Sequence, residues 1–298
     1  MSLLIHFKKH LHSYSKSMFI KIFLSLITVS LLIIIILGIF IFFSVSQSLD
    51  DKINQSEQRK LSETINRISI FFDEIQKLSR SIENNERFVR FMPRSKTKFS
   101  ENYQDYQDIR GNISTFVSIA NSSNYLKDIF IYYRNSNYII SKQGLIDANL
   151  YYDHEWMDLF EKSNFMWHVM DTQPLLNRNN NIITMVTSIP YNHGIKQGAI
   201  VMYIDSQSVS NILAGILDDE KSHVFLLNSH NNIIASDNNA NLYKNISEFV
   251  NVNSDDFANE KGIYHYTINN EKMTVFYNTS DINQWKLVYR LKLKSGWD

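Results

Sequence analysis

Residues 127–141 read KDIFIYYRNSNYIIS, and how they are read decides the architecture of most of the chain. β-Branched and aromatic residues dominate 128–134, as a pleated, half-buried surface requires. Asn135, Ser136 and Asn137 form a tight turn, and 138–141 return as the hairpin partner. Downstream, Trp156, Met157, Leu159 and Phe160 predict a short helix. Residues 177–181 form a polar loop. A strand over 182–189 ends at Pro190, residues 191–198 turn the chain, and 199–205 form a long buried strand. Val209, Ile212, Leu213 and Ile216 then trace another short helix. A smaller version of the pattern follows: a strand at 223–228, a polar turn at 229–232 and a partner at 233–236. A polar stretch with a short helix near 246–250 leads to strands at 262–268, 272–278 and 285–291. Two antiparallel sheets of around five strands, with helices to one side, give an α+β class.

Upstream of the first hairpin the period is helical. Leu61, Ile65, Ile68, Phe72, Ile75, Leu78 and Ile82 fall at steps of three and four on a helix expected from 47 to about 91. That stripe either packs on the adjoining domain or forms a coiled-coil seam, and a dimer could share it. Pro93 ends the helix. Tyr106, Ile109, Ile113, Phe116, Val117 and Ala120 mark a second amphipathic helix over roughly 103–120, closed by turn formers at 121–124.

Further out, residues 22–43 read IFLSLITVSLLIIIILGIFIFF without a charge. A helix of roughly 20 apolar residues crosses a bilayer. A signal peptide has a shorter apolar core and a small-residue cleavage site, and SVSQSLDDKI offers none. Lys8, Lys9, Lys16 and Lys21 precede the span, whereas Asp50 and Asp51 follow it beside Lys52. Basic flanks stay in the cytoplasm, so residues after about 44 are expected outside.

Composition narrows the function. The 298 residues carry a formal net charge of zero, which gives no electrostatic footprint for nucleic acid. The chain has no cysteine, so disulfides, thiolate nucleophiles and cysteine-based zinc sites are excluded. It carries no Gly-rich phosphate loop, HExxH or GxSxG. His6, His10 and His12 lack nearby carboxylates and read as solvated, and His223 and His230 read as exposed. No enzyme, metal or cofactor is expected.

The hairpin, followed by HEWMDLF, TSIPY, GAIVMYIDSQSVSNIL, VFLLNSHNNIIAS and MTVFYNTSDINQWKLVY, resembles the double Cache sensor domain. The likeness covers about residues 20–292. Its nearest flavour is the exported half of Gram-positive transmembrane histidine kinases or membrane-bound AraC-type regulators. It implies tandem PAS-like units. The boundaries are a cytoplasmic N-terminus at 1–21, a span at 22–43, helices at 44–122, a membrane-distal unit at 123–217, a membrane-proximal unit at 218–293 and a tail at 294–298. The implied function is extracellular small-molecule sensing for a transmembrane signal transducer, with a homodimer through the long helix. The alternative is an exported, membrane-anchored structural or partner-binding protein without a small ligand. Such sensors return through a second span to an output domain. This chain shows neither, so truncation before them is the expectation.

The resemblance also implies where a ligand sits. In its amino-acid-binding subset, Trp156 matches the family Trp and Asp205 the Asp that holds the amine. His154 stands where an Arg should grip the carboxylate, and Met157 where a Tyr is usual. Imidazole cannot form the two parallel hydrogen bonds of a guanidinium, so an α-amino acid fits poorly. A sugar, short peptide, amine or other small molecule stays open. Tyr132, Tyr151, Tyr152 and Tyr203 complete the candidate lining. Trp156 reads equally as a core aromatic, and Asp205 as the N-cap of the helix after it.

Overall fold

The computed structural model describes residues 18–151, 154–170, 182–191, 194–217, 222–238, 241–242, 244–250, 257, 259–268, 271–280 and 284–292. His6, His10, His12, Tyr152, the polar loop at 177–181 and residues 269 and 270, between two of the expected strands, lie outside them. The chain divides into two units, Met1–Glu57 and Gln58–Asp298.

The first unit carries the N-terminal part of helix α1 (Met18–Glu83). Residues 21–45 are exposed throughout, with large apolar side chains such as Ile34 at 68% and Phe40 at 69%. Among the described residues, α1 is the one helix long and apolar enough to cross a membrane. Monomeric soluble proteins rarely expose contiguous apolar surface of that extent.

In the second unit α1 continues to Glu83, short of the expected 91. Asn85 stops it: its side chain accepts from the Arg87 N–H and starts a separate turn, α2 (Glu86–Val89). Helix α3 (Tyr103–Ser122) opens with a capping box between Asn102 and Asp105. Its inward face is Asp105, Asp108, Ile109, Asn112 and Phe116, and Tyr106 is 69% exposed. The buried Asp105 accepts from Arg90 Nη2 at 2.7 Å and from Arg94 Nη1 at 2.5 Å. Burial pushes the Asp105 carboxyl up, but the hydrogen bonds and charge of Arg94, the bond from Arg90 and the Asn102 N–H hold it below the usual carboxylate value. This network ties the α2 turn to the start of α3.

The first sheet has six strands in the order β3-β2-β1-β6-β5-β4, every neighbouring pair antiparallel. They are β1 (Leu126–Tyr133), β2 (Tyr138–Ser141), β3 (Gly144–Asp147), β4 (Phe165–Met170), β5 (Ile182–Ile189) and β6 (Gly198–Asp205). Strands β3 and β4 escape sequence inspection. Both are edges: β3 has only four residues of mixed polarity, and β4, FMWHVM, is a short apolar run that reads equally as helix. Helix α4 (Glu155–Lys162) lies between β3 and β4, and α5 (Ser206–Ala214) follows β6. The second sheet has five strands in the order β8-β7-β11-β10-β9. These are β7 (His223–Leu227), β8 (Ile233–Ser236), β9 (Lys261–Ile268), β10 (Glu271–Thr279) and β11 (Lys286–Lys292). The helix expected near 246–250 is a single 3-10 turn, Ile246–Glu248.

Side-chain alternation gives each sheet two apolar faces. The inner faces carry Ile129, Ile131, Ile200 and Met202 from the first sheet, and Val224, Leu226, Phe276 and Leu287 from the second. They share one core with Leu61, Ile65, Ile68, Phe72, Ile75 and Ile82 of α1. The stripe is therefore consumed by packing within the chain. Each such side chain contributes about 1.5–3 kcal/mol on full burial. The outer face of the second sheet is covered by Leu242, Ile246, Val250 and Phe257.

Candidate functional site

The outer face of the first sheet holds the site-bearing residues. On β1, Phe130 and Tyr132 point outward and Ile129, Ile131 and Tyr133 inward. On β6, Ala199, Val201 and Tyr203 are outward, and on β5 Ile182 and Val186. Helix α4 lays Trp156, Leu159 and Phe160 across them, and the preceding 3-10 turn adds Ala148 with Tyr151 beside it.

The rings meet edge-on or tilted. Trp156 lies 5.0 Å from Tyr132 and 5.4 Å from Phe130, centroid to centroid. Tyr151 is 4.7 Å and Tyr203 5.7 Å from Phe130, and Phe160 is 5.8 Å from Tyr132. Edge contacts of this kind each contribute about 0.5–1.5 kcal/mol beyond area burial. Trp156 and Tyr203 are fully buried, and Tyr132 and Tyr151 nearly so. The Tyr132 hydroxyl donates to Asn137 Oδ1 at 3.3 Å. Burial raises its pKa, with Arg134 opposing.

The other expected residues stand apart from this cluster. His154 is exposed at the N-cap of α4 and makes no side-chain capping bond. Asp205 caps α5, accepting from the Gln207 N–H at 3.1 Å, and pairs with Lys127 Nζ at 2.5 Å. Its carboxylate is thus committed to a helix end and a lysine. The structure brings Tyr132, Tyr151, Trp156 and Tyr203 together on one face.

A carboxylate that sequence reading missed belongs to that face. Asp128 follows a register shift on β1: Leu126 pairs with Ile204 and Asp128 with Tyr203. The extra residue, Lys127, turns Asp128 outward while Leu126 stays in the inner core. Asp128 is 3% exposed. Its carboxylate accepts from Gln143 Nε2 at 2.9 Å and from the Ile129 N–H at 2.8 Å, with Lys142 Nζ 3.9 Å away. Burial pushes the carboxyl up, against the pull of Gln143, Lys142, the Ile129 N–H and the Tyr151 hydroxyl. The available signal was an acid at the parity of Phe130 and Tyr132 inside an otherwise apolar strand. His223 also departs from expectation. It is partly buried and pairs with Asp237 at 3.0 Å, whereas His230 is exposed. Among the described residues, no group of three or more His, Asp or Glu side chains is arranged to hold a metal ion.

Several solved structures share this fold. The sensory domain of the Campylobacter jejuni chemoreceptor Tlp3 superposes with a TM-score of 0.58 at 17% identity, covering 83% of this chain and 96% of that one. The Tlp3 ligand-binding domain in complex with 4-methylisoleucine gives 0.56 at 17%, over 80% and 90%. The ligand-binding domain of the Pseudomonas fluorescens chemoreceptor CtaA with L-isoleucine gives 0.55 at 12%, over 81% and 94%. Identities this low establish the shared fold and nothing finer. Among curated proteins, none matches the chain. The family described as Cache domain matches residues 45–294, spanning both sheets and the helices before them. With its two tandem sheets, the chain belongs to the Cache domain family, in the double form.

Proposed function

We propose that the chain is the extracellular small-molecule-sensing module of a transmembrane signal transducer. The observation that carries this reading is the aromatic outer face of the first sheet, roofed by α4, in a Cache domain. Ligand sites are concave, largely apolar and aromatic, with a few convergent polar groups. Tyr132, Tyr151, Trp156 and Tyr203 supply the walls in this reading, and Asp128 a buried polar group that Asp205 does not. The apolar segment of α1 anchors the protein, and its lysine-rich flank keeps the N-terminus in the cytoplasm.

Tlp3 and CtaA are described in complex with branched-chain amino acids or relatives of them. This chain lacks the guanidinium that would hold an α-carboxylate, because His154 is the residue before α4. The ligand class is therefore a small molecule without an obligatory carboxylate: a sugar, a short peptide or an amine. Ligand binding favours one of two arrangements of the first sheet, and differential affinity moves the equilibrium. Because α1 packs on both sheets, it is the element that carries the shift towards the membrane, within a homodimer.

A second reading, an exported partner-binding protein without a small ligand, draws on the full burial of Trp156 and Tyr203. Thermal-shift screening of the full chain in nanodiscs against a metabolite library separates the two. Binding to the native state alone raises apparent stability by RT ln(1 + [L]/Kd). A hit that Trp156→Phe weakens supports sensing, and a library without hits supports the second reading. Protease added to spheroplasts tests the topology, since a chain left intact on the cell surface would refute the outward orientation.

A further inference from the structure

Just past the apolar segment, residues 44–57 of α1 read SVSQSLDDKINQSE. Val45, Leu49 and Ile53 are the apolar members of that stretch, and the rest is Ser, Gln, Asn, Asp, Lys and Glu. At about 100° per residue, Val45 and Ile53 lie about 40° to either side of Leu49, so the three form a stripe over successive turns of one face. All three are 44–54% exposed. Gly38, inside the apolar segment, falls on the same face, three turns before Leu49. Single exposed apolar side chains are ordinary. A line of them along an otherwise polar helix is the pattern of a helix–helix seam.

Lipid does not reach the far end of this stripe. The headgroup layer adds about 5–7 Å to each side of the hydrocarbon core. Leu49 and Ile53 stand six and ten residues past Phe43, about 9 and 15 Å along the axis at 1.5 Å per residue. The chain's own core does not cover it either. That core takes the stripe from Leu61 to Ile82 and leaves Val45, Leu49 and Ile53 open.

We propose that Val45, Leu49 and Ile53 form the seam of a parallel pair with a second copy of this chain. The inference rests on the reading of α1 as a membrane anchor, and it moves the meeting place of two copies away from the stripe that the core consumes. Two copies anchored by the same span hold their stripes at the same depth, so the pair is in register without a further device. A twofold axis then sets each apolar side chain against its own counterpart. The charges agree with that symmetry. Asp50 and Lys52 lie on opposite flanks of the stripe, about 100° and 60° from Leu49. The axis therefore brings the acid of each copy beside the lysine of the other, and Asp51 points to the back of the helix. Within the bilayer, Gly38 lets the two backbones approach. An unrelated partner would have to match both the apolar spacing and the charged flanks, whereas a second copy carries them by symmetry.

The test uses the full chain in membranes. The chain has no cysteine, so each single-cysteine variant reports one position. Under mild oxidation with copper phenanthroline, Val45→Cys, Leu49→Cys and Ile53→Cys should form linked dimers. They should do so about tenfold faster than Gln47→Cys, Asp51→Cys and Asn54→Cys on the far side, because a disulfide needs Cβ atoms within about 4.5 Å. Leu49→Glu should lower the dimer fraction in liposomes about tenfold, read by photobleaching steps. Its circular dichroism melt should stay unchanged, since Leu49 is exposed in the single chain. Asp50→Lys should weaken the pair, and adding Lys52→Asp should restore it. Cross-linking that ignores the face overturns the proposal. So does Leu49→Glu without effect, and so does a product at a mass other than twice the chain's, which would give the stripe to a different protein. Carbonate extraction tests the anchor separately. A chain released from the membrane overturns anchor and seam together, whereas a retained chain without face-selective cross-linking overturns the seam alone.

Discussion

Phe72 is where α1, the first sheet and the second sheet meet, and replacing it by alanine tests that junction. Its ring is 1% exposed. It stands edge-on to Trp167 of β4 at 4.7 Å and to Trp285, just before β11, at 4.8 Å. Phe71 is 5.2 Å away, and the two tryptophans are themselves 6.0 Å apart. Phe→Ala in a packed core costs about 3–5 kcal/mol from lost transfer energy and the cavity left behind. Two edge contacts of about 0.5–1.5 kcal/mol each place Phe72 in the upper part of that range. Against a total stability of about 5–15 kcal/mol, the loss removes a third or more of the fold's margin. Urea unfolding of the full chain in detergent, followed by tryptophan fluorescence and by circular dichroism, reads it directly. Wild type should show coincident transitions, because one core serves both sheets. Phe72→Ala should lower the midpoint steeply, and Phe72→Leu should retain most of the stability. A Phe72→Ala loss under about 1 kcal/mol, in the range of ordinary surface substitutions, would refute the shared core.

Three further outcomes follow from the geometry. Gly198 opens β6, and a Cβ there would press on the Tyr132 carbonyl oxygen and lie 2.7 Å from Met92 Sδ; Gly198→Ala should cost about 1–3 kcal/mol in urea unfolding, and a neutral result would mean that the strand pair yields more easily than its packing implies. Asp105 is held below its ordinary pKa, so its ionised form stabilises the fold at pH above ~4, and that contribution is lost as pH falls through the folded value. The urea midpoint of Asp105→Asn should therefore trail wild type at pH 7, with the gap closing below pH ~4; a gap independent of pH would show that the arginine pairing contributes nothing. Asp128 is raised, so ionising it opposes folding: Asp128→Asn should gain on wild type as pH rises above ~4, and a variant that loses ground over that range would refute the burial argument.

The sequence made the hairpins and long strands plain because their apolar residues are either continuous or alternate. Strand β6, GAIVMYID, is buried along nearly its whole length and could hardly be read otherwise. Strand β3 was hidden because it is four residues of mixed polarity, whereas β4, FMWHVM, is a short apolar run that periodicity does not separate from a helix. On α3, Tyr106 sits at the right spacing for the stripe yet faces solvent. Periodicity fixes an apolar face only to within a turn, and the buried Asp105 and Asn112 shift that face towards a polar network. Of the aromatic members of the candidate site, Trp156 was legible from the resemblance to the double Cache domain and Tyr132 and Tyr203 as rings that could line a cavity, and the structure places all three on one face of the first sheet. The site's carboxylate was not. Asp128 shares the parity of Phe130 and Tyr132, but an acid at the start of an apolar strand reads as its solvated end, and its burial shows only in the structure.

In the proposed reading, the two faces of β1 and β6 are what links a site under α4 to α1. Ile129 and Ile131 touch the core shared with the long helix, while Asp128, Phe130 and Tyr132 alternate with them towards α4. Phe130 and Tyr132 share one backbone with Ile129 and Ile131, and β1 is held in register against β2 and β6. A shift of β1 large enough to open room beside Trp156 must therefore move Ile129 and Ile131 as well. Packed interiors have few voids to absorb such a displacement, and Phe72 and Ile75 of α1 belong to the same core. Helix α4 has no such reach, since it contacts the sheet from one side only. In the proposed reading, the distance to be crossed is the thickness of a single sheet: one layer of backbone with an aromatic face towards α4 and an aliphatic face towards α1.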